Sequence, residues 1–69
     1  MPISGKEAIK RLQKKHNFEL ARQRGSHVVL TAHKNGKKYT TVVPLHKELK
    51  VGTRRSIARL ADIPEKDLK

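Results

Sequence analysis

The chain has 69 residues, no cysteine, and 17 Lys and Arg side chains against six Asp and Glu, so its formal net charge at pH 7 is +11. This length suits one domain (residues 1–69) with a small core, and the lack of cysteine excludes disulfides and thiolate zinc sites. No apolar run has the length of a signal peptide or a membrane span, so we expect a soluble cytoplasmic protein. The positive charge predicts a polyanionic partner, with nucleic acid the leading class, a membrane surface disfavoured and an acidic protein compatible.

The first predicted helix begins at Gly5 and extends to about His16. Ser4 and Glu7 have the spacing of a capping box, in which the serine hydroxyl bonds a first-turn amide and the glutamate reaches back. Asn17 is predicted to end the helix. We expect His16 to be partly buried rather than catalytic, because it falls on the apolar stripe that packs the helix. That stripe consists of Ala8, Ile9, Leu12 and His16.

A first strand is predicted over residues 18–23, where Phe18 and Leu20 alternate with polar residues as in a half-buried strand. Residues 24–26 then form a turn, in which Gly25 allows a positive φ angle.

A second strand is predicted over residues 27–34 and is joined to a third by Asn35 and Gly36. This dipeptide favours a type I′ hairpin with Lys34 opposite Lys37. The register gives the sheet an inner apolar face and an outer mixed face, with His27 at one end of the outer face. The inner face consists of Val28, Leu30, Ala32, Tyr39, Thr41 and Val43. The outer face consists of His27, Val29, Thr31, His33, Lys38, Thr40 and Val42.

A second helix is predicted to have Thr53 as its N-cap and residues 54–61 as its body, after an ordered loop over residues 45–51. Its apolar face, formed by Ile57, Leu60 and Ala61, is expected to cover the sheet. Residues 64–69 are predicted to add one frayed turn. The complete order is α-β-β-β-α, an α+β fold with both helices on one face of a three-stranded antiparallel sheet, as in double-stranded-RNA-binding domains.

Two sequence motifs, one after the other along the chain, resemble those of the HicA toxins. These are the small messenger-RNA interferases of HicA–HicB toxin–antitoxin systems. Residues 22–27 are similar to the family's R-Q-x-G-S-H motif. The second motif comprises Val43–His46, Leu49, Gly52–Thr53 and Arg55–Ile57. The resemblance implies the double-stranded-RNA-binding-like fold, cleavage of mRNA, a HicB-type antitoxin as partner, and a catalytic role for the motif histidine, His27. The chain departs from the family at Arg54, usually leucine, and at Asp62, where glycine is common.

The chemistry of RNA cleavage suits these residues. Without a metal ion, the ribose 2′-hydroxyl attacks the adjacent phosphate, which requires a general base, a general acid and cations near the phosphate. Histidine serves in either proton role at neutral pH. The candidate for the second proton-transfer histidine, beside His27, is His46. The alternative is that His46 only bonds to the backbone of its loop. The candidates for RNA contact are Arg22, Arg24, Ser26 and Lys38, although the basic ones could simply be solvated and Ser26 could only cap the turn.

Other combinations of residues are less favourable. His33 lies six residues beyond His27, about 20 Å along a strand, and so belongs to a different part of the outer face. The four histidines lack carboxylates at ligand spacing, so we expect no metal and no cofactor. Inward-facing Phe18 and Tyr39 offer no stacking platform for single strands.

Two other functions remain open. The first is a non-catalytic basic RNA-binding module, in which the histidine of the first motif is incidental. The second is a small basic DNA-binding or ribosome-associated protein, although the second helix offers no Asn or Gln to read base edges.

Overall fold

A computed structural model describes residues 2–69. The predicted domain covers residues 1–69, so its first residue, Met1, lies outside the described residues. The three strands form one antiparallel sheet with the order β1-β2-β3. This arrangement confirms the predicted α-β-β-β-α fold. The elements in chain order are α1 (Gly5–His16), β1 (Glu19–Arg24), β2 (His27–Lys34), β3 (Lys37–Pro44), α2 (Val51–Ala61) and a short 3₁₀ helix (Glu65–Leu68).

Both ends of α1 are capped at the predicted residues. Ser4 has an extended backbone, and its hydroxyl oxygen accepts a 3.0 Å hydrogen bond from the backbone N–H of Glu7. Asn17 adopts the left-handed conformation with φ 57°, and its N–H donates to the carbonyl oxygen of Leu12. The Glu7 carboxylate does not complete the predicted capping box, because it accepts a 3.1 Å bond from Arg11 Nε one turn along the helix.

The hairpin between β2 and β3 has the predicted turn and register. Asn35 has φ 51° and Gly36 has φ 79°, the two positive angles that a type I′ turn requires. Lys34 lies opposite Lys37, and the pairing continues without a shift to His27 opposite Pro44. The tight turn therefore fixes which side chains face the helices along the whole hairpin.

The core lies between the inner face of the sheet and the two helices. From β2 and β3 it includes Val28, Leu30, Ala32 and Val43, and from the helices Ala8, Leu12, Ile57, Ala58 and Ala61. Thr41 is also fully buried on this face, and its hydroxyl donates a 3.2 Å hydrogen bond to the carbonyl oxygen of Ile57. The bond satisfies the buried hydroxyl and ties β3 to α2.

The prediction that the first strand is half-buried is wrong. Phe18 is buried, but it precedes β1, and every residue of β1 is exposed. Leu20 shares the inner side with its partner Leu30, yet half of its surface is exposed because the helices pack mainly against β3. A bulge between Leu20 and Arg22 also interrupts the alternation that the sequence suggested.

The second helix begins earlier than predicted and packs by a different face. It starts at Val51, and Lys50 occupies the N-cap position without a side-chain cap bond, so Thr53 lies inside the helix. The buried positions are Ile57, Ala58 and Ala61. This face is centred between Ile57 and Ala58, which turns Leu60 towards solvent.

The C-terminal turn is anchored rather than frayed. Leu68 is fully buried, and the carboxylate of Asp67 contacts two side chains at the end of α1: Lys15 Nζ at 3.0 Å and His16 Nε2 at 2.8 Å. The hydrogen bond from Lys15, assisted by the one to His16, holds the pKa of the Asp67 carboxyl below its usual value, against the opposing effect of burial. His16, predicted as a partly buried packing residue, is partly buried and holds this turn.

Candidate functional site

His27 lies at one end of the outer face, where the sheet is open to solvent. It is the first residue of β2 and is exposed, with Arg24 of β1 opposite it on one side and Pro44 of β3 on the other. Since paired residues of an antiparallel sheet point to the same side, the Arg24 side chain starts beside that of His27. The structure thus places a titratable ring next to a permanent cation on an accessible surface.

The turn before His27 is held by local bonds. Gly25 has φ 57°, a left-handed angle that glycine adopts without strain, and its carbonyl oxygen accepts a 2.9 Å hydrogen bond from the side-chain Nε2 of Gln23. The carbonyl oxygen of Ser26 accepts a 2.7 Å bond from the N–H of Leu45. This last bond fixes the loop after β3 to the turn before β2.

His46 follows on that loop and is exposed. Its backbone carbonyl oxygen accepts a 2.9 Å hydrogen bond from the N–H of Gly5, while no hydrogen bond within residues 2–69 involves its ring. The alternative prediction is that the His46 side chain bonds to the backbone. In the structure the hydrogen bond of His46 is made by its backbone carbonyl oxygen and not by its imidazole ring. The loop leaves the ring available at the same end of the sheet as His27.

The sequence analysis missed the role of Gly5 in building this end of the molecule. A Cβ atom at Gly5 would overlap the carbonyl oxygen of Pro44 and would lie 3.0 Å from the Cα atom of Leu45. Glycine therefore lets the N-terminus of α1 sit directly on the end of β3, whose last residue, Pro44, pairs with His27 of β2. The available signal was a poor helix former at the first position after a strong N-cap.

The structure gathers only some of the predicted RNA-contact residues around His27. Arg24 is its strand partner, and Ser26 is exposed in the preceding turn. Arg22 lies opposite Val29, about 7 Å further along the outer face. Lys38 lies opposite His33, about 20 Å from His27 along β2, and so belongs to the other end of the face.

The charge around His27 is not neutralised within the described chain. The ion pairs of residues 2–69 join Glu7 to Arg11, Asp67 to Lys15 and His16, and Glu65 to Arg55. None of them involves Arg22 or Arg24. The outer face near His27 therefore presents unpaired positive charge, which attracts anions.

The two aromatic rings lie away from this face. Phe18 is buried and Tyr39 is half-buried on the inner side, and the Lys34 ammonium lies 5.2 Å and 5.5 Å from their ring centres. The predicted inward orientation of both rings is confirmed.

Two further properties of the described residues bear on the site. Among residues 2–69, no group of three His, Cys, Asp or Glu side chains could hold a metal ion. Within the same part of the chain, neither helix is long and apolar enough to cross a membrane.

A family model described as "HicA toxin of bacterial toxin-antitoxin" matches residues 5–63 of the 69-residue chain. Comparisons with curated proteins and with solved structures give no match. The matched segment starts at the first residue of α1 and contains both motifs, residues 22–27 and 43–57. The chain therefore belongs to the HicA toxin family, and it is the toxin of a bacterial toxin–antitoxin system.

Proposed function

We propose that this toxin is an mRNA interferase: an endoribonuclease that cleaves messenger RNA without a metal ion, uses His27 as its catalytic residue and is silenced by a HicB-type antitoxin. The proposal depends above all on the position of His27, which is exposed on the outer face directly opposite Arg24. A proton-transfer group beside an unpaired guanidinium suits reaction at a phosphodiester. We expect the protein to act in the cytoplasm, where its substrate is translated.

The mechanism that this geometry favours is transfer of the phosphate to the neighbouring ribose oxygen. The 2′-oxygen forms a bond to phosphorus as the bond to the 5′-oxygen breaks, which leaves a 2′,3′-cyclic phosphate and a 5′-hydroxyl. His27 removes the 2′-hydroxyl proton or donates a proton to the leaving 5′-oxygen, and His46 is the candidate for the complementary step. Arg24 stabilises the negative charge of the transition state, and exposed Ser26 is the candidate to bond a phosphate oxygen.

The outer face also suits a protein inhibitor. A row across the sheet joins Arg22, Val29 and Val42, which are successive cross-strand partners two pairs away from His27 and on the same face. Val42 is 39% exposed, so this row combines an apolar centre with a basic side chain. An acidic antitoxin bound over the row would cover His27 and exclude RNA.

A non-catalytic RNA-binding module is the second candidate, because the charge and the fold would serve it equally well. The two functions differ in turnover. In a catalytic protein His27 and His46 act on protons, whereas in a binding module their substitution changes little.

The test is incubation of the purified protein with a mixed-sequence RNA in the presence of a chelator. We expect multiple turnovers and fragments that end in a 2′,3′-cyclic phosphate. Binding by four to six basic side chains should give a log–log salt slope of about −3 to −4 for single-stranded RNA. Binding without cleavage would favour the module, cleavage that requires added metal would contradict the mechanism, and a slope near zero would remove the nucleic-acid function.

A further inference from the structure

A row of lysines runs along the side of α1 that points away from the sheet. Lys6, Lys10 and Lys14 are four residues apart, so they lie above one another on one side of the helix, opposite the buried Ala8 and Leu12. All three are exposed, and none forms an ion pair within residues 2–69. We call these three residues the lysine stripe.

The lysine stripe does not help the chain to fold. Like charges four residues apart on a helix repel each other. Lys6 also lies in the first turn, where the helix dipole disfavours a positive charge. The acidic residue of this helix, Glu7, pairs with Arg11 on another side. The repulsion among the three lysines is therefore not offset by an acidic side chain within the described chain, and a bound polyanion would offset it.

The lysine stripe begins at the end of the molecule that carries His27, but on the opposite side of the sheet, so RNA that reaches it from His27 passes around this end. Lys6 follows Gly5, whose backbone N–H donates to the carbonyl oxygen of His46 and whose Cα lies against Pro44, the strand partner of His27. From there the stripe extends about 12 Å along the helix axis, at 1.5 Å per residue. In a stacked strand, where phosphates advance about 3.4 Å each, this length covers about three to four nucleotides.

The surroundings of the lysine stripe favour RNA over a protein as its partner. The large apolar side chains exposed on the described surface are Leu20, Val42, Val51 and Leu60, all of them outside α1. Protein interfaces need apolar or aromatic anchors and are poor in lysine, whereas phosphate backbones are bound by regularly spaced cations. The stripe offers only the second kind of contact.

From this placement we propose that the lysine stripe binds the phosphates of the RNA that extends beyond the scissile bond. This inference rests on the proposed function and adds to it a second contact region, which leads away from His27 over α1. In this proposal α1 binds the extended part of a long RNA, and the residues at the end of the sheet cleave it.

The test compares two triple variants of the full chain that lose the same charge. The first carries Lys6→Gln, Lys10→Gln and Lys14→Gln. The control carries Lys37→Gln, Arg59→Gln and Lys66→Gln, which are exposed residues at the start of β3, on α2 and on the 3₁₀ helix. Binding of a 12-nucleotide RNA is measured against salt with His27→Ala added to each protein, and cleavage of the same RNA is measured with His27 intact. Thermal unfolding checks that both variants are folded.

We expect the lysine-stripe variant to reduce the salt slope by about 2 and to raise KM by roughly 10- to 100-fold, with kcat unchanged. The control should alter both quantities far less. Equal effects of the two variants, or a fall in kcat without a rise in KM, would overturn the inference while the proposed function stands. A wild-type protein that neither binds nor cleaves RNA would instead overturn the proposed function, and the inference with it.

Discussion

The backbone of Gly5 lies directly against the carbonyl oxygen of Pro44, the residue that faces His27 across the β2–β3 ladder. One close contact thus positions the start of α1 and the loop that carries His46. The adjacent hydrogen bond from the Gly5 N–H to the His46 carbonyl oxygen fixes the direction of that loop. The start of α1 therefore positions the parts of the candidate site, although Gly5 itself takes no part in the proposed reaction.

Replacement of Gly5 by alanine should destabilise the protein although alanine is the better helix former. The added Cβ meets backbone atoms that cannot rotate away, so we expect a loss of about 1–3 kcal/mol in the free energy of unfolding. Gly52→Ala is the matched control, because nothing lies within 4 Å of its Cβ position in α2. That variant should gain about 0.5 kcal/mol. Urea unfolding of both measures the difference, and similar values for the two would contradict the contact at Pro44.

Replacement of His27 by alanine should strongly slow cleavage without affecting folding. The side chain is exposed, so the free energy of unfolding should change by no more than about 0.5 kcal/mol. Loss of a proton-transfer group should slow RNA cleavage by about 10²-fold or more, while RNA affinity stays within a few-fold. His33→Ala is the control, since His33 is exposed on the same face at the other end of β2.

Cleavage rates, RNA binding and thermal melts of both histidine variants separate catalysis from structure. Expression of the wild-type chain should arrest growth, as should His33→Ala, whereas His27→Ala should not. Equal cleavage rates for the wild type and His27→Ala would remove His27 as the catalytic residue.

Replacement of Asp62 by glycine should stabilise the protein. Asp62 ends α2 with φ 56°, in the left-handed region that L-residues adopt at a cost, and its negative charge opposes the helix dipole there. We expect Asp62→Gly to raise the free energy of unfolding by about 0.5–1 kcal/mol, measured in urea. Asp62→Ala removes the charge but keeps the strained angle, so it should gain less. An equal gain from alanine would mean that charge, not conformation, matters at this position.

Asp67 should make stability sensitive to acid. The pKa of its carboxyl is lowered in the folded chain, so its stabilising effect is complete above the unfolded value of 3.8 and is lost as the pH falls through the folded value. Thermal melts from pH 7 to about pH 2 should therefore show a steeper acid loss for the wild type than for Asp67→Asn. Glu48→Gln, which changes an exposed loop carboxyl that forms no ion pair within residues 2–69, should keep the wild-type slope.

Local signals in the sequence predicted much of this fold, because they act within a few residues. Ser4 caps α1, Asn17 ends it, and the positive φ angles of Asn35 and Gly36 set the register of the hairpin. Where local signals were weak, the prediction failed. The N-cap of α2 is Lys50, which has no side-chain cap bond, so the sequence favoured Thr53 instead.

Long-range contacts account for the other errors. The C-terminal turn is held by side chains about fifty residues earlier in the chain, which pairing rules for neighbouring residues do not reveal. Leu20 has the pattern of a core residue, but the helices do not reach far enough over β1 to cover it.

The position of His27 was predictable because strand parity and the hairpin turn determine it. Its neighbours were less so. The bulge in β1, which the sequence did not reveal, sets which arginines share the outer side, whereas the far position of Lys38 follows from the predicted hairpin register. The roles assigned to the arginines and to Lys38 remain predictions, and the His27 variant above tests the role of the histidine.

The two faces of the sheet place different demands on mutation. Every strand side chain that is buried belongs to the inner face or, as Pro44, to the strand end, whereas Thr40 and Val42 of the outer face are exposed. Substitutions at such outer positions leave the packing unchanged, so they accumulate at little cost to folding. A toxin built in this way can acquire a new antitoxin partner or, under the proposed function, a new RNA preference through changes on one surface while its core sequence stays the same.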